Sequence, residues 1–339
     1  KIIINASNIH TGGGKVIIED LLNFLDDFKA ISFIYFIDDR WNEISTKKSN
    51  LKINKVSKKE RFSVWNKIEK ESTVSDIIIY FTNIPPRKRH KCKTFLFLQN
   101  RFVIENFSLR GFNIKTKLRI FYERMLFNFK FNNCDKIIVQ SNTMKNILLK
   151  KGVPVKSIIE LPFFFQRNYF FSKKNNQKKT TKKFLYVASD EPHKNHIRLI
   201  NSWIMLSKEK IYPKLIITIN ENSSLQRYVE DMKNKHNIMV ETKSNLTRHQ
   251  IFELYQNIDA IIYPSLIESY ALPIVEAKFT KTPIISSELD FVRDIIDPIE
   301  TFDPYSEKSI YRSVKRFLNY KDQKTNIISP KDFFENILN

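Results

Sequence analysis

The sequence predicts an α/β protein built from two doubly wound domains, and three observations support this fold class. Short apolar runs such as "KIIIN" at 1–5 and "DIIIYFTN" at 76–83 alternate with helical patterns, as strands do in parallel sheets covered on both faces. The length of 339 residues suits two domains. A stretch without apolar residues, 172–183, separates two blocks of alternation. Ligands of such folds bind at the carboxyl ends of the strands, so we expect a site in the cleft between the domains.

The first block predicts an N-terminal domain over residues 1–165. Its strand-like runs lie at 1–5, 31–38, 76–83, 94–100 and 136–141, and its helical patterns at 15–28, 59–70, 115–131 and 142–151. Three of the five glycines of the chain, Gly12, Gly13 and Gly14, stand between the first strand and the first helix. A backbone without Cβ atoms at that point can receive an anion at the helix N-terminus. The alternative is a βα turn that binds nothing.

The stretch 115–131, "KTKLRIFYERMLFNFKF", mixes basic and aromatic residues and admits two interpretations. One is a helix that lies on a membrane surface. The other, which we favour, is an ordinary packed helix whose apolar side chains face the core. The side chains expected in that core are Leu118, Phe121, Tyr122, Met125 and Phe129.

The second block predicts a linker at 166–183 and a C-terminal domain over 184–320. Its strands are expected at 184–189, 214–220, 237–242, 259–265 and 282–287, and its helices at 195–207, 223–235, 247–257, 273–280, 289–296 and 307–319. A tail over 321–339 can cross back to the first domain.

The net charge of +21 suggests nucleic acid or an anionic membrane as a partner. Lysine outnumbers arginine by 42 to 15, and Asn, Ile and Phe are abundant, a set typical of codon bias in an AT-rich genome. No nucleic-acid-binding motif is present, so we expect no nucleic acid partner. A phosphate-rich substrate and the negative inner face of the cell membrane are both compatible with the charge.

The chain has no run of about 18 uncharged apolar residues, so we expect no membrane-spanning helix. Its opening lacks the pattern of a secretory signal, and its two cysteines, Cys92 and Cys134, suit a reducing compartment. We therefore expect a cytoplasmic protein that contacts the membrane peripherally.

The segment "YPSLIESYALPIVEAKFTKTPIISS" at 263–287 carries the most specific pattern in the chain. Pro273 suits the first turn of a helix, which puts Glu276 inside that helix and Glu268, eight residues earlier, in the loop before it. Two carboxylates beside an anion site can accept hydrogen bonds from sugar hydroxyls. The backbone N–H groups expected to form the anion site are those of Tyr270, Ala271 and Leu272.

This segment resembles the E-x7-E signature of family 4 retaining glycosyltransferases, which have the GT-B fold of two Rossmann-like domains facing a central cleft. The positions in register are Glu268, Leu272, Pro273, Glu276, Ala277, Pro283 and Ile284, and the family's glycines are replaced by Ser269, Ala271 and Lys281. The resemblance implies that Glu268 contacts hydroxyls of the donor sugar and that Glu276 contacts the ribose of the nucleotide.

A second match lies in "FLYVASDEPHKNHIRLINSW" at 184–203, where Lys194 and Asn195 correspond to the family's K-N pair. The resemblance implies that Lys194 binds the donor diphosphate and offsets the charge that develops on the leaving group. The family's arginine about six residues earlier is absent, because Ala188 and Ser189 stand there.

Two further matches lie in the N-terminal domain. The glycine run resembles the family's loop that faces the donor phosphates. In "FLFLQNRFVIE" at 95–105, where many members carry a histidine near the reacting carbon, this chain has Gln99 and Asn100, whose amides can hydrogen-bond a hydroxyl but cannot act as a base. In the mechanism accepted for the family, the leaving phosphate oxygen takes the acceptor's proton, so no enzyme nucleophile is required.

Metal is not expected at this site. His193 and His196 are three residues apart, but no third ligand lies near them in sequence, and the resemblance implies that neither a metal nor another cofactor is needed.

The resemblance implies a retaining, hexosyltransferase-type enzyme. It would move a sugar from a nucleoside-diphosphate sugar to a hydroxyl of a glycan or polyprenyl-linked acceptor in surface-polysaccharide (O-antigen or capsule) synthesis. The expected catalytic residues are Glu268, Lys194, Gln99 and Asn100; the expected donor-binding residues are Gly12, Gly13, Gly14, Lys194, Asn195, Ser269, Tyr270, Ala271, Leu272 and Glu276. The missing arginine and histidine favour an alternative, a catalytically silent GT-B-like module that binds a nucleotide or a partner.

Overall fold

The structure, a computed structural model, describes residues 1–41, 49–163, 181–320, 329–330 and 336–337. Its first domain is a parallel sheet in the order β3-β2-β1-β4-β5-β6-β7. The strands are β1 (Ile2–Ala6), β2 (Phe33–Asp38), β3 (Leu51–Val56), β4 (Ile77–Tyr80), β5 (Lys93–Phe97), β6 (Lys136–Val139) and β7 (Ile158–Glu160). The helices are α1 (Gly12–Asn23), α2 (Val64–Glu71), α3 (Arg101–Ile104), α4 (Ile114–Lys130) and α5 (Asn142–Lys150).

The second domain is a second parallel sheet, in the order β10-β9-β8-β11-β12-β13. The strands are β8 (Lys183–Tyr186), β9 (Lys214–Thr218), β10 (Val240–Lys243), β11 (Ala260–Tyr263), β12 (Ile284–Ser287) and β13 (Glu300–Phe302). The helices are α6 (His196–Lys208), α7 (Ser224–His236), α8 (Arg248–Gln256), α9 (Leu272–Phe279), α10 (Asp290–Arg293) and α11 (Glu307–Phe317). The prediction of two doubly wound domains is confirmed.

Both faces of each sheet are buried because the strands are apolar on both faces. In the first sheet Ile3 packs into an apolar cluster on one face, and its neighbour Ile4 packs into another cluster on the opposite face. In the second sheet the core gathers around Trp203 of α6, one of the largest fully buried side chains. Because helices cover both faces of each sheet, we expect ligand-binding polar side chains in the loops at the carboxyl ends of the strands.

The strand order reverses between β1 and β4 in the first sheet and between β8 and β11 in the second. Open α/β sheets bind ligands beside such switch points. The loop after β1 leads to Gly12–Gly14, the loop after β8 contains Lys194, and the loop after β11 contains Glu268. Three of the sequence motifs therefore lie at the two positions where this topology favours binding.

Four short elements were not predicted. Strand β3, "LKINKV", lies at the edge of the sheet and mixes Lys and Asn with apolar residues, so it lacks the continuous apolar run of the inner strands. Strands β7 and β13 and helix α3 have only three or four residues, too few for a period to show. Residues 166–180 of the predicted linker at 166–183, and most of the predicted tail at 321–339, lie outside the described residues.

The prediction that α4 buries its large apolar side chains is wrong. Leu118, Phe121, Tyr122, Met125 and Phe129 are all exposed, Phe129 to 81%. The helix is apolar on two sides, and the smaller side is the one that packs. The residues that face the protein interior are Ile120, Glu123 and Phe127. Among the described helices, none is long and apolar enough to cross a membrane.

Candidate functional site

Two helix N-termini meet across the cleft. Helix α1 begins at Gly12, whose φ is +69°, and α9 begins at Leu272. A Cβ built on Gly13 would lie 3.1 Å from Cδ1 of Leu272, so the two first turns are in contact. Neither helix has a side-chain cap or an acidic residue in its first turn. The positive ends of both helix dipoles therefore converge on one place, which favours an anion there.

The loop before α9 adds further donors at this place. Among the described residues, no backbone group accepts a hydrogen bond from the N–H groups of Tyr270, Ala271 or Leu272. The Ala271 side chain is buried, and that of Tyr270 is partly buried. Within the described residues these N–H groups thus have no backbone acceptor, and their role as anion donors stays a prediction.

Lys194 and Glu268, which come from the loops after β8 and β11, form a partly buried ion pair. Lys194 Nζ donates to Glu268 Oε1 at 2.7 Å, and their side chains are 15% and 12% exposed. The same oxygen accepts from Ser265 Oγ at 2.6 Å and Tyr263 OH at 3.0 Å. Burial acts to raise the pKa of Glu268, but the charge of Lys194 and these hydrogen bonds outweigh it and hold that pKa below its usual value. The carboxylate is therefore ionised at neutral pH.

Glu276 occupies a different environment, inside the first turns of α9. Its Oε2 accepts from Tyr255 OH at 3.0 Å, and its Oε1 lies 3.9 Å from Nε of Arg248. Burial, partly offset by Arg248, raises the pKa of Glu276 to about 7. Arg248 also donates to Asp20 of α1 at 2.6 Å, so this carboxyl group belongs to a network that spans both domains.

Gln99 and Asn100 follow β5, and their backbone N–H groups donate to Oδ1 of Asn83 at 2.6 and 3.0 Å. The Asn100 side chain accepts from the N–H of Phe102 and caps α3. The Gln99 side chain points toward the glycine run, where a Cβ on Gly14 would lie 2.7 Å from its Oε1. Its Nε2 is buried and has no hydrogen-bond partner within the part of the chain that the structure describes. Among the described residues it is thus a donor without a partner, close to the junction of the two helix N-termini.

Ser269, which replaces a family glycine, joins the two domains. Its Oγ donates to the carbonyl of Gln99, and its own carbonyl accepts from Ser141 Oγ at 3.0 Å. The loop that carries Glu268 is therefore held against the first domain.

Asn195 holds the loop of Lys194 in shape. It adopts a left-handed conformation with φ of +64°, and its Nδ2 donates to the carbonyls of Pro264 and Pro304 at 3.0 and 2.8 Å. Its side chain is buried. It fixes the position of Lys194 relative to the loop after β11.

A cavity of about 560 Å³ opens beside these groups and is lined by both domains. His193 lies in its wall, 5.1 Å from the ring of Phe102 and 5.7 Å from that of Phe112. Burial and then the charge of Lys194 lower the pKa of His193 to about 4, so its imidazole is neutral. Among the described residues, no group of three His, Cys, Asp or Glu side chains could hold a metal ion.

The residues that fasten the two domains around the site were not predicted from the sequence. Arg101 of α3 donates to both carboxylate oxygens of Asp290 at 2.8 and 2.7 Å, and Arg248 pairs with Asp20. The partners are 189 and 228 residues apart. No local motif signals such pairs, and the positions of Arg101 and Asp20 at the edge of the cleft become visible only in the folded chain.

Two sequence comparisons point to one enzyme class. Residues 168–331 match the family model described as glycosyl transferases group 1. The chain is 26% identical over 215 residues to the O-antigen chain mannosyltransferase RfbU of Salmonella typhimurium, an alignment that covers 59% of this chain and 56% of that protein. The chain thus spans little more than half the length of this curated relative.

Solved structures show which fold these domains form. WaaG, a glycosyltransferase involved in lipopolysaccharide biosynthesis, is similar with a TM-score of 0.72 at 13% identity, over 94% of this chain and 90% of that one. HepE of Anabaena, solved in complex with UDP and glucose, gives a TM-score of 0.68 at 12% identity, over 94% and 89% of the two chains. The prediction of the GT-B fold, two Rossmann-like domains around a central cleft, is confirmed.

Proposed function

We propose that this chain is a retaining glycosyltransferase that moves a sugar from a nucleoside-diphosphate sugar to a hydroxyl of a glycan or lipid-linked glycan. The observation that carries the proposal is the meeting of the α1 and α9 N-termini beside the partly buried Lys194–Glu268 pair. This arrangement offers backbone donors and a cation to a diphosphate, and a carboxylate to sugar hydroxyls.

The comparisons support the same class of reaction. The matched family model spans Lys194, Glu268 and Glu276. The curated relative is named for mannosyl transfer to an O-antigen chain, and the structural neighbour HepE was solved with UDP and glucose. These names support a nucleotide-sugar donor and an acceptor in surface-polysaccharide synthesis, in which the enzyme would work at the cytoplasmic side of the membrane.

On donor binding, Lys194 and Glu268 would each replace the other with a group of the donor. When a diphosphate occupies the junction of the two helices, Lys194 can turn from Glu268 toward the phosphate oxygens, and Glu268 can accept from hydroxyls of the donor sugar. Glu276, inside the first turns of α9, would accept from the ribose hydroxyls. Lys194 then stabilises the negative charge that grows on the leaving diphosphate, a charge that exists fully only in the transition state.

The transfer step requires no nucleophile from the protein. The bond from the sugar's anomeric carbon to the diphosphate oxygen breaks, and a bond from that carbon to the acceptor oxygen forms on the same face. The acceptor's proton passes to the departing phosphate oxygen. Gln99 Nε2, a donor without a described partner, would orient a hydroxyl of the sugar or the acceptor.

A panel of UDP-, GDP- and dTDP-sugars tests donor binding. A donor at a hundredfold excess over its dissociation constant should stabilise the protein by roughly 2.7 kcal/mol. With the donor identified, turnover is measured for the native chain, for Glu268→Gln and for the control Glu253→Gln, an exposed carboxylate on α8. Glu268→Gln should lower kcat about a hundredfold or more, and Glu253→Gln should leave it unchanged. Full activity of Glu268→Gln would contradict the assignment.

The anomeric configuration of the product, read by NMR, tests retention separately. Retention supports the proposal, and inversion would refute the mechanism while leaving the transferase class intact.

The second candidate, a silent nucleotide-binding module, is favoured by Ala188 and Ser189, which offer no cation where the family has arginine. Stabilisation by a nucleotide sugar without hydrolysis or transfer would support it over the enzyme.

A further inference from the structure

The two strands beside the switch point of the second sheet, β8 and β11, both end in a buried tyrosine. Tyr186 ends β8 and Tyr263 ends β11, and their rings meet edge to face with centroids 5.4 Å apart. The Tyr186 hydroxyl donates to the carbonyl of Lys194 at 2.7 Å. The Tyr263 hydroxyl donates to Oε1 of Glu268 at 3.0 Å. Each tyrosine therefore holds the member of the ion pair that is carried by the loop after its own strand.

The two members of the pair are held unequally. Tyr186 fixes the backbone of Lys194, but among the described residues Lys194 Nζ has one partner, Glu268 Oε1. That same oxygen also accepts from Tyr263 and from Ser265 Oγ, at 3.0 and 2.6 Å, and both of these side chains are buried. If the ammonium turns away, the carboxylate therefore keeps two hydroxyl donors that belong to the core of the domain, whereas the ammonium leaves its one described partner.

Burial gives these hydroxyl donors a purpose. It acts to raise the pKa of Glu268, and the charge of Lys194 is the largest influence that lowers it. A carboxylate that lost this cation and had no other donors would take up a proton more readily and would accept less strongly from a sugar hydroxyl. Hydrogen bonds from neutral hydroxyls favour the charged form and do not draw the lysine away from a phosphate.

We propose that Tyr263 and Ser265 are positioning residues, which keep the Glu268 carboxylate ionised and in place while Lys194 moves to the donor. Lys194 is then the mobile member of the pair, and Glu268 is the fixed one. Glu268 Oε2, to which no described residue donates, is the oxygen that accepts from the sugar. The part played in transfer rests on the proposed function, whereas the support of the charge does not.

The charge of Glu268 can be measured without donor or acceptor. The charged and titratable groups that face this residue are Lys194, His193, Tyr186, Tyr263 and Arg101. His193, with a pKa of about 4, titrates in a similar range, so it is left unchanged in every variant.

NMR of protein labelled at the glutamate carboxyl carbons reports the midpoint of the Glu268 titration, with Glu268→Gln to assign the signal. Lys194→Met represents the state in which the ammonium has left. In that background, Tyr263→Phe combined with Ser265→Ala should raise the midpoint by about one pH unit or more, because two hydrogen bonds to the charged form are lost. Tyr186→Phe is the matched control, a buried tyrosine of the adjacent strand, and should leave the midpoint unchanged.

Two results would overturn the proposal. One is an unchanged midpoint in the variant that lacks both hydroxyls. The other is an equal shift in Tyr186→Phe, which would show that packing matters and the hydrogen bonds to Glu268 do not. Tyr263→Phe alone removes one oxygen atom and keeps the ring, so it tests the same point through a smaller shift if the double change impairs folding.

Turnover at saturating donor separates this role from a merely structural one. The ratio of native to Tyr263→Phe turnover at each pH cancels the groups that both proteins share, including Glu276. This ratio should fall as the pH rises, since at high pH the carboxylate is ionised with or without the hydroxyl. Tyr311→Phe also removes a buried hydroxyl that donates to a carboxylate, that of Glu209, and should turn over like the native chain.

The outcomes distinguish this proposal from the proposed function. A ratio that does not change with pH, whatever its size, would overturn the role in transfer. Absence of turnover in the native chain would contradict the proposed function and leave the titration of Glu268 as the test of this proposal.

Discussion

Glu276 is a carboxyl group whose charge the fold makes unfavourable. It is buried, it accepts from Tyr255 OH, and the nearest cation, Arg248, is shared with Asp20. Its pKa of about 7 means that it carries a proton for much of the time at neutral pH. Such a group suits a site that binds hydroxyls. A buried carboxyl group with too few hydrogen-bond donors is stabilised when the hydroxyls of a ligand donate to it.

Glu276→Gln should therefore stabilise the protein at high pH. Below pH 4.5 the carboxyl group is protonated in both the folded and the unfolded chain, so it costs nothing. Between about 4.5 and 7 only the unfolded chain loses the proton, and stability falls as the pH rises. Above pH 7 the cost is complete, on the order of 3 kcal/mol. Thermal unfolding at pH 4 and pH 8 should show a higher Tm for the variant at pH 8 and no difference at pH 4.

Glu276→Gln should also weaken binding of the nucleotide-sugar donor, because a neutral amide accepts a hydrogen bond less strongly than a carboxylate. Glu253→Gln, on the exposed face of α8, serves as the control for both measurements. A variant that is destabilised at pH 8 would show that Arg248 stabilises the charge of Glu276 more than burial opposes it.

The sequence identifies candidate site residues where a motif surrounds them, and their roles stay predictions. Lys194 and Glu268 were singled out separately, and the structure brings them to 2.7 Å. That they pair with each other could not be read from the sequence, since 74 residues separate them. The cations that fasten the cleft, Arg101 and Arg248, have partners still farther away. Nothing in their neighbourhoods distinguishes them from the other basic residues of so basic a chain.

Among the elements, α1 begins earlier than its apolar period indicates. The pattern predicts a helix from residue 15, and the structure begins it at Gly12. The glycines are thus the first turn of the helix and not a turn before it. Their role as a surface open to an anion stays a prediction, and their contacts with Leu272 and Gln99 place them inside the cleft.

Gly13→Val should lower donor affinity at least tenfold while costing little stability. Its side chain would enter the junction between the two helix N-termini, where a Cβ already lies 3.1 Å from Leu272. Gly152→Ala is the converse control. Its φ of +84° makes a Cβ unfavourable by about 1 kcal/mol, and no atom lies within 4 Å of that Cβ. Donor affinity is measured by titration and stability by denaturant unfolding. Unchanged affinity in Gly13→Val would return the glycine run to a structural role.

For helix α4, the pattern of apolar residues predicts the helix but not the face that packs. The period establishes that a helix forms, and it does form over Ile114–Lys130. It cannot establish which of two apolar faces packs, because that depends on the shape of the neighbouring elements. Here the neighbour is α3, a helix of four residues that was not predicted, and it covers only the narrower face.

At the scale of the whole molecule, the alternation of strands and helices was sufficient to predict both sheets except for the edge strands β3, β7 and β13. Inner strands with continuous apolar runs leave few alternatives to a parallel sheet covered by helices. The relation between the two domains is different, because scattered contacts form it and such contacts have no period. They include an apolar cluster of Phe102, Ile120 and Ile267 as well as polar contacts. Ser141 with Ser269, and the backbone of Thr143 with Asp294, lie 128 and 151 residues apart.

Two ion pairs across the cleft, Arg101–Asp290 and Arg248–Asp20, should hold the domains in the arrangement described here. Replacing Asp20 and Asp290 together by Asn removes both charges while keeping side chains of similar size. We expect the double variant to scatter X-rays in solution with a larger radius of gyration than the native chain, because the two domains separate when their charge pairs are lost. The control is Lys214→Gln, which breaks an ion pair with Glu241 inside the second domain.

A saturating nucleotide sugar should reduce the difference in radius of gyration between the double variant and the native chain. A diphosphate bound between α1 and α9 contacts both domains and replaces the attraction of the lost ion pairs. Closure of the cleft in the double variant would then depend on the bound donor. The apparent affinity of that variant for the donor should fall, since part of the binding free energy is used to close the cleft. An unchanged radius of gyration in the double variant would mean that the hydrogen bonds of Ser269 and Asp294 are sufficient to hold the cleft closed. The ion pairs would then contribute to local packing alone.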